Sequence, residues 1–152
     1  MGFFDDFFLV QKVSPRGEWD GFGLYPNSDL VAVSQDAEYL GMLARLLERK
    51  NQTPPPVPKL AETGLKTVLM HGMEHNRMVG LELYKSGNQD VVGYVLAQSN
   101  LCVCLRQVGP FGEADGVCYV KTSAITRVYL EDGDLLCLEL LSQDADGSAS
   151  GT

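Results

Sequence analysis

The chain has no surplus of positive charge. Its 12 Lys and Arg stand against 20 Asp and Glu, a formal net charge of −8. That balance opposes adventitious contact with nucleic acid or anionic lipid. Nor does any segment reverse it: residues 1–59 carry 6 basic and 8 acidic groups, residues 60–141 carry 6 and 10, and the tail carries only Asp144 and Asp146. An RNA site would therefore have to be small and focused. Histidine is scarce too. With only His71 and His75, a Ser-His-Asp or Cys-His arrangement would have to recruit one of them. Neither G-x-S-x-G nor a Walker lysine loop occurs, and the glycines at 17, 21 and 23 do not open a helix after a strand, so they form no phosphate cradle. These absences lead us to expect no enzyme and no cofactor. The four cysteines (Cys102, Cys104, Cys118 and Cys137) include no C-x-x-C and no zinc spacing. Strand periodicity places Cys102 and Cys104 on one face, as buried thiols acting as small hydrophobes. The apolar runs are too short to span a bilayer. The start, Met1-Gly2-Phe3-Phe4-Asp5-Asp6-Phe7-Phe8, lacks the basic region of a secretory signal and has Asp6 where a myristoylation signal carries Ser or Thr. A cytoplasmic protein without membrane contact is the resulting expectation.

What is present divides by its punctuation. At 152 residues a chain can bury about two-thirds of its unfolded surface and needs no disulfide or metal to hold a core. Residues 1–50 mix aromatic clusters with turn residues, then a helix. Strands are expected at Phe7–Val13 and Leu30–Val33. The helix over residues 35–50 has Ser34 as its cap, Asp36 and Glu38 in its first turn, and Arg45, Arg49 and Lys50 in its last. Its apolar residues Tyr39, Leu40, Met42, Leu43, Leu46 and Leu47 recur at helical spacing, giving a face fit for the core or for a protein partner. The aromatics Phe3, Phe4, Phe7, Phe8, Trp19, Phe22 and Tyr25 lack neighbouring cations for base stacking and should serve core or oligomer contacts. Residues 51–59, with prolines at 54, 55, 56 and 58, form a stiff polyproline linker.

From residue 60 to 141 the pattern changes to period two. Strands are expected at Met78–Tyr84, Val91–Ala97, Leu101–Val108, Val117–Lys121, Ile125–Leu130 and Leu135–Leu141. Glu131-Asp132-Gly133-Asp134 reads as the hairpin turn between the last two. Residues 142–152 are small and polar, a flexible tail. The fold class is thus mainly β with one clear helix: a small, strongly bent antiparallel barrel plus an N-terminal α+β extension.

Several segments of the β region resemble a known family. Val79-Gly80-Leu81-Glu82-Leu83, then Gly87, then Val91-Val92-Gly93-Tyr94-Val95 is similar to a V-x-V-x-L strand followed by a glycine turn and an h-x-G-x-L strand. Val120-Lys121-Thr122-Ser123-Ala124-Ile125-Thr126-Arg127-Val128 is similar to I-R-G-x-x-I-x-x-I and to a Y-K-H-A-I-S run. Residues 78–141 thereby resemble the Sm-like family, which spans eukaryotic Sm and LSm proteins and the bacterial RNA chaperone Hfq. The resemblance implies a five-stranded barrel that joins its neighbours edge to edge in a ring, hence a homo-oligomer. It also implies an RNA site. Where the family organises its uridine pocket with Asp and Asn, this chain has Ser99 (then Asn100) and Val103, and Thr122 stands at the glycine of the second motif. Lys121 matches a basic residue of that motif.

Three functions follow as alternatives. The first is a non-enzymatic, oligomerising Sm-like scaffold or interaction module, with helix 35–50 as a second contact surface. The second is an RNA-binding Sm-like protein, disfavoured by the acidic charge, using Lys85, Ser99, Asn100, Arg106, Lys121 and Arg127. The third is a small metal-binding protein. His71-Gly72-Met73-Glu74-His75 fits H-x-x-E-H, in which two imidazoles four apart on a helix can share a zinc ion while the glutamate activates water. Gly72 weakens the helix that this geometry needs, so a surface turn carrying two histidines competes with it.

Overall fold

The computed structural model describes residues 2–3, 6–57 and 64–149. In chain order these form β1 (Gly2–Phe3), β2 (Phe7–Val13), β3 (Trp19–Pro26), α1 (Glu38–Arg49), α2 (Gly64–Glu74), β4 (Met78–Leu83), β5 (Val91–Gln98), β6 (Cys102–Val108), β7 (Ala114–Lys121), β8 (Ile125–Leu130) and α3 (Gly133–Ala149). All eight strands join one antiparallel sheet in the order β1-β2-β3-β8-β4-β5-β6-β7. The fold is mainly β. The sheet is open: among the described residues, no ladder connects β7 to the β1 end. Irregularities in register at Gln11/Val13, Glu82/Leu83, Val95/Ala97 and Arg106/Val108 add local twist and bend the strands.

Two apolar clusters lie on opposite faces of this sheet. On one face Leu9, Phe22, Leu24, Val79, Leu81, Val103, Leu105, Val128 and Leu130 meet Val68 and Leu69 of α2. On the other, Met78, Tyr94 and Val108 meet Leu135 of α3, with Leu138 packed against them. Coverage on both faces explains why β4 is buried along nearly its whole length instead of alternating. The N-terminal strands share the first cluster, and β3 is hydrogen-bonded along β8 (Phe22↔Leu130, Leu24↔Val128). The extension and the period-two region therefore form a single sheet. The linker lies against it where the Gln11 side chain donates to the Pro55 carbonyl at 3.0 Å; residues 58 and 59 are outside the described ones.

Four features differ from what the sequence suggested. The Leu135–Leu141 segment is helix, part of α3. Its start, Asp132, is an N-cap: the carboxylate accepts the Leu135 N–H at 2.9 Å. Asp and Gly before an apolar run signal a hairpin turn or a helix start equally well, and here the cap prevails. Residues 142–149 continue that helix. Secondly, α2 runs through Gly72, whose missing Cβ is an advantage: a methyl there would come within 2.8 Å of Val79. Thirdly, Leu30–Val33 is irregular, following a short 3-10 turn at Asn27–Asp29, while Trp19–Pro26 is a strand despite two glycines. Gly21, at φ +67°, sits where a Cβ would collide with the Leu130 carbonyl, so only glycine lets β3 approach β8 this closely. Lastly, α1 begins at Glu38 with Ala37 as its cap, without a side-chain cap bond from Ser34. No residue of α1 is buried. Tyr39, Leu40, Met42 and Leu46 stay exposed.

The thiols also moved. Cys102 and Cys104 do share a face, but it is the face opposite Val103 and Leu105, and both are half-buried.

Candidate functional site

The residues expected to bind RNA fall into separate places. Ser99 and Asn100 form the turn between β5 and β6. The Ser99 hydroxyl is engaged there, accepting the Leu101 and Cys102 N–H groups at 3.2 and 3.0 Å, as serine does in tight turns. Thr122, in the 3-10 turn that follows β7, donates its hydroxyl to the Ser99 carbonyl at 3.3 Å. On the other side α2 approaches, and Gln98 donates to the Lys66 carbonyl at 3.0 Å. Between them opens a cavity of about 450 Å³, lined by Asp6, Phe7, Gly64, Leu65, Lys66, Leu69, Gln98, Ser99, Asn100 and Thr122. Lys121 is exposed one residue before Thr122. This cavity is mixed in character, lined by apolar Phe7, Leu65 and Leu69, by amide and hydroxyl side chains, and by one cation and one carboxylate. Lys66 and Asp6 escaped sequence reasoning, and Phe7 was expected in a core or oligomer contact, because only the tertiary approach of α2 and β2 brings them to the turn.

Lys85 and Arg127 lie elsewhere, in an ionic cluster on the other side of the sheet. Glu82 is fully buried. Its carboxylate accepts Arg127 Nη1 at 3.1 Å and the Tyr129 hydroxyl at 3.2 Å, and the single Thr126 hydroxyl proton is shared between the Glu82 carbonyl at 3.2 Å and the carboxylate at 3.3 Å. Arg127 Nη2 reaches Asp29 at 3.0 Å, Lys85 Nζ reaches the other oxygen of Asp29 at 2.8 Å, and the guanidinium lies 5.4 Å from the Tyr25 ring centre. The ammonium of Lys85, followed by Arg127, holds the Asp29 carboxyl below its ordinary range. Asp29 in turn holds Arg127 above its own. Burial raises the Tyr129 phenol. Asp29 follows β3 in the chain, so this cluster fastens the N-terminal strands to β8 and β4. Neither cation is free for phosphate. In strand β4, Glu82 alternates with Val79 and Leu81 and would read as a solvent-facing residue; nothing local announces that Arg127 covers it.

Arg106 stacks its guanidinium 4.6 Å from the Tyr94 ring centre on the face of the sheet that carries Cys104 and Tyr119. Beyond it β7 is the last strand, with β6 as its sole neighbour among the described residues. Val117 and Tyr119 on β7 are 55% and 73% exposed. Cys104 beside the Tyr119 hydroxyl raises the phenol above its ordinary range.

The H-x-x-E-H segment closes α2. The His71 and His75 rings lie with centres 4.2 Å apart and planes tilted by 31°, and His75 Nδ1 lies 3.0 Å from the His71 carbonyl oxygen. Burial, then the neighbouring His75, lowers the His71 imidazole below its ordinary range. Glu74 is exposed. Among the described residues, no group of three or more His, Cys, Asp or Glu side chains is placed to hold a metal ion. Among them too, no helix is long and apolar enough to cross a membrane.

Compared with family models, with curated proteins and with solved structures, the chain finds no match.

Proposed function

We propose that this chain is a non-enzymatic, oligomerising interaction module built on an Sm-like five-stranded unit. Five strands, β4 to β8, with β8 returning to lie beside β4, support the Sm-like reading. The single observation that carries the function is the β7 edge. It is eight residues long, unpaired on its outer side among the described residues, and bears exposed Val117 and Tyr119. Monomeric proteins blunt such edges with lysine, proline or covering elements; β7 has one lysine, at its end. A five-stranded unit β8-β4-β5-β6-β7 offers two outer edges for joining neighbours. Here β3 fills the β8 edge, leaving β7 for the partner. The exposed apolar face of α1 provides a second surface on the same molecule.

Light scattering on the untagged protein, with absorbance at 260 and 280 nm across the peak, tests this reading. A defined oligomer free of nucleic acid is expected, and a monomer at tens of micromolar would overturn it.

A second reading has its own observation. The cavity at Ser99, Asn100 and Thr122, with Lys66 on its wall and Lys121 beside it, is where a single-stranded nucleotide could enter. It predicts binding of uridine-rich or adenine-rich oligomers that weakens linearly on a log–log salt plot and weakens further in Lys121→Ala. Undetectable binding at low salt removes it.

A further inference from the structure

We infer that the partner at the β7 edge is a second copy of this chain, paired antiparallel β7 to β7 about a two-fold axis at Cys118. The inference rests on the assembly reading above and specifies its geometry.

The hydrogen-bond register sets which residues can take part. The Thr122 N–H donates to the Leu101 carbonyl at 2.9 Å, and the β6–β7 ladder runs unbroken from Cys102↔Lys121 to Arg106↔Val117. Antiparallel alternation then makes Val103–Val120 and Leu105–Cys118 the hydrogen-bonded pairs. Val117, Tyr119 and Lys121 are left with N–H and C=O directed at the open edge. Their side chains project from the sheet face that carries Cys104 and Arg106, opposite the cluster that packs on α2. A two-fold antiparallel pairing centred on Cys118 sets Val117 against Tyr119 of the second copy, and the reverse. Both are outward-bonding residues, so the two pairs close about four backbone hydrogen bonds. Each pair joins an aromatic to a β-branched side chain, a favourable cross-strand combination. Moving the centre to Tyr119 would place Val117 against Lys121 and lose that match.

The ends of the hairpin agree. Glu113 and Asp115 lie at the start of β7 and Lys121 at its finish. Antiparallel pairing brings the acidic end of one copy to the basic end of the other, whereas parallel pairing would set like charges side by side. Phe111, 81% exposed in the β6–β7 turn, and Leu101, 80% exposed at the opposite end of the hairpin, would come to the same end across the axis. The far edge of the sheet offers a poor alternative, because β1 is two residues long. Like-to-like pairing is also closed, which an edge-to-opposite-edge contact need not be.

The test uses the full chain. Light scattering and sedimentation should give a dimer. Val117→Lys and Tyr119→Lys, on exposed sites, should each raise the dimer dissociation constant by at least about 10-fold with an unchanged circular dichroism spectrum. At the axis the Cys118 pair is a non-hydrogen-bonded one, with Cα atoms about 4.5 Å apart and within disulfide range. In a Cys102→Ser, Cys104→Ser, Cys137→Ser background, copper-phenanthroline and dioxygen should therefore link two chains through Cys118. A six- or seven-membered ring, or a dimer indifferent to both lysine variants and not linked through Cys118, would overturn the pairing and leave the assembly reading intact. A monomer would overturn both. Should the lysine variants fail to fold, the Cys118 link decides alone: its presence supports the pairing, its absence in a dimeric chain refutes it.

Discussion

Replacing Arg127 with methionine would strand a buried carboxylate. Glu82 is fully buried, and its carboxylate accepts from Arg127 at 3.1 Å and Tyr129 at 3.2 Å, with the Thr126 hydroxyl at 3.3 Å shared with the Glu82 carbonyl. Methionine keeps much of the side-chain length over Tyr25 but supplies no charge. Breaking a buried ion pair by removing one partner costs about 3–5 kcal/mol, chiefly for the charge left behind. Two considerations put this case at the lower end. The two hydroxyl donors remain, and the Arg127 side chain is 28% exposed, so water can reach the vacated position. The loss of Asp29's second partner adds little, since Lys85 still holds that carboxylate at 2.8 Å. We expect about 3 kcal/mol, read as a lowered urea midpoint with an unchanged slope. For a chain of this size that is a fall of about 6–12 °C in Tm. The second arm is decisive: Glu82→Gln/Arg127→Met removes the stranded charge and should be more stable than Arg127→Met alone. A loss under about 1 kcal/mol, or a double variant no better than the single one, would refute the claim that this pair is what keeps Glu82 tolerable in the sheet.

Three more perturbations follow from the geometry. The Asp29 carboxyl is held low by Lys85 and then Arg127, so the unfolded chain takes up this proton first as pH falls. Its stabilisation is complete above the ordinary aspartate range, near 4, and fades as pH drops through the lower folded value. Asp29→Asn should flatten the acid limb of urea midpoint against pH; an unaltered limb would contradict it. Burial and then His75 depress His71, so its NMR titration midpoint should lie below about 6.5, and His75→Ala should move it upward. The same sign makes His71 destabilising as pH falls below that ordinary value, because the unfolded state protonates first. Gly93→Ala should cost about 1–3 kcal/mol by overpacking, since its Cβ would lie 2.2 Å from the Arg106 carbonyl oxygen across the β5–β6 ladder; calorimetry showing no loss would mean that the ladder yields freely.

What could be read beforehand follows where local signals act alone. Phe7–Val13 and Ile125–Leu130 are strands at the boundaries their alternation suggests, and the h-x-G glycine of Val91–Val95 is explained by the close ladder at Gly93. Reading fails where one local signal serves two structures. Glu131-Asp132-Gly133-Asp134 could turn a hairpin or start a helix, and Leu135–Leu141 is apolar enough for either. Only the face left open by Met78, Tyr94 and Val108, and the buried Glu139 accepting the Met78 N–H at 2.7 Å, select the helix. The site was legible in fragments. Ser99 and Asn100 do line a cavity, but the expected basic set disperses, because Asp29, nearly a hundred residues from Arg127 in sequence, claims two of its cations. No pattern within a window of the chain can show such a pairing.

The seam between β3 and β8 also dictates an order of events. Phe22 pairs with Leu130, more than a hundred residues later, so the β2–β3 hairpin is made long before the strand on which it docks. Until then Phe8, Phe22 and Leu24 have no sheet to bury them, and closing so long a loop is entropically slow. Refolding should accordingly have a late phase in which the N-terminal hairpin docks onto an already formed β4–β8 unit. During synthesis the apolar side chains of this hairpin lack that cover until β8 has emerged.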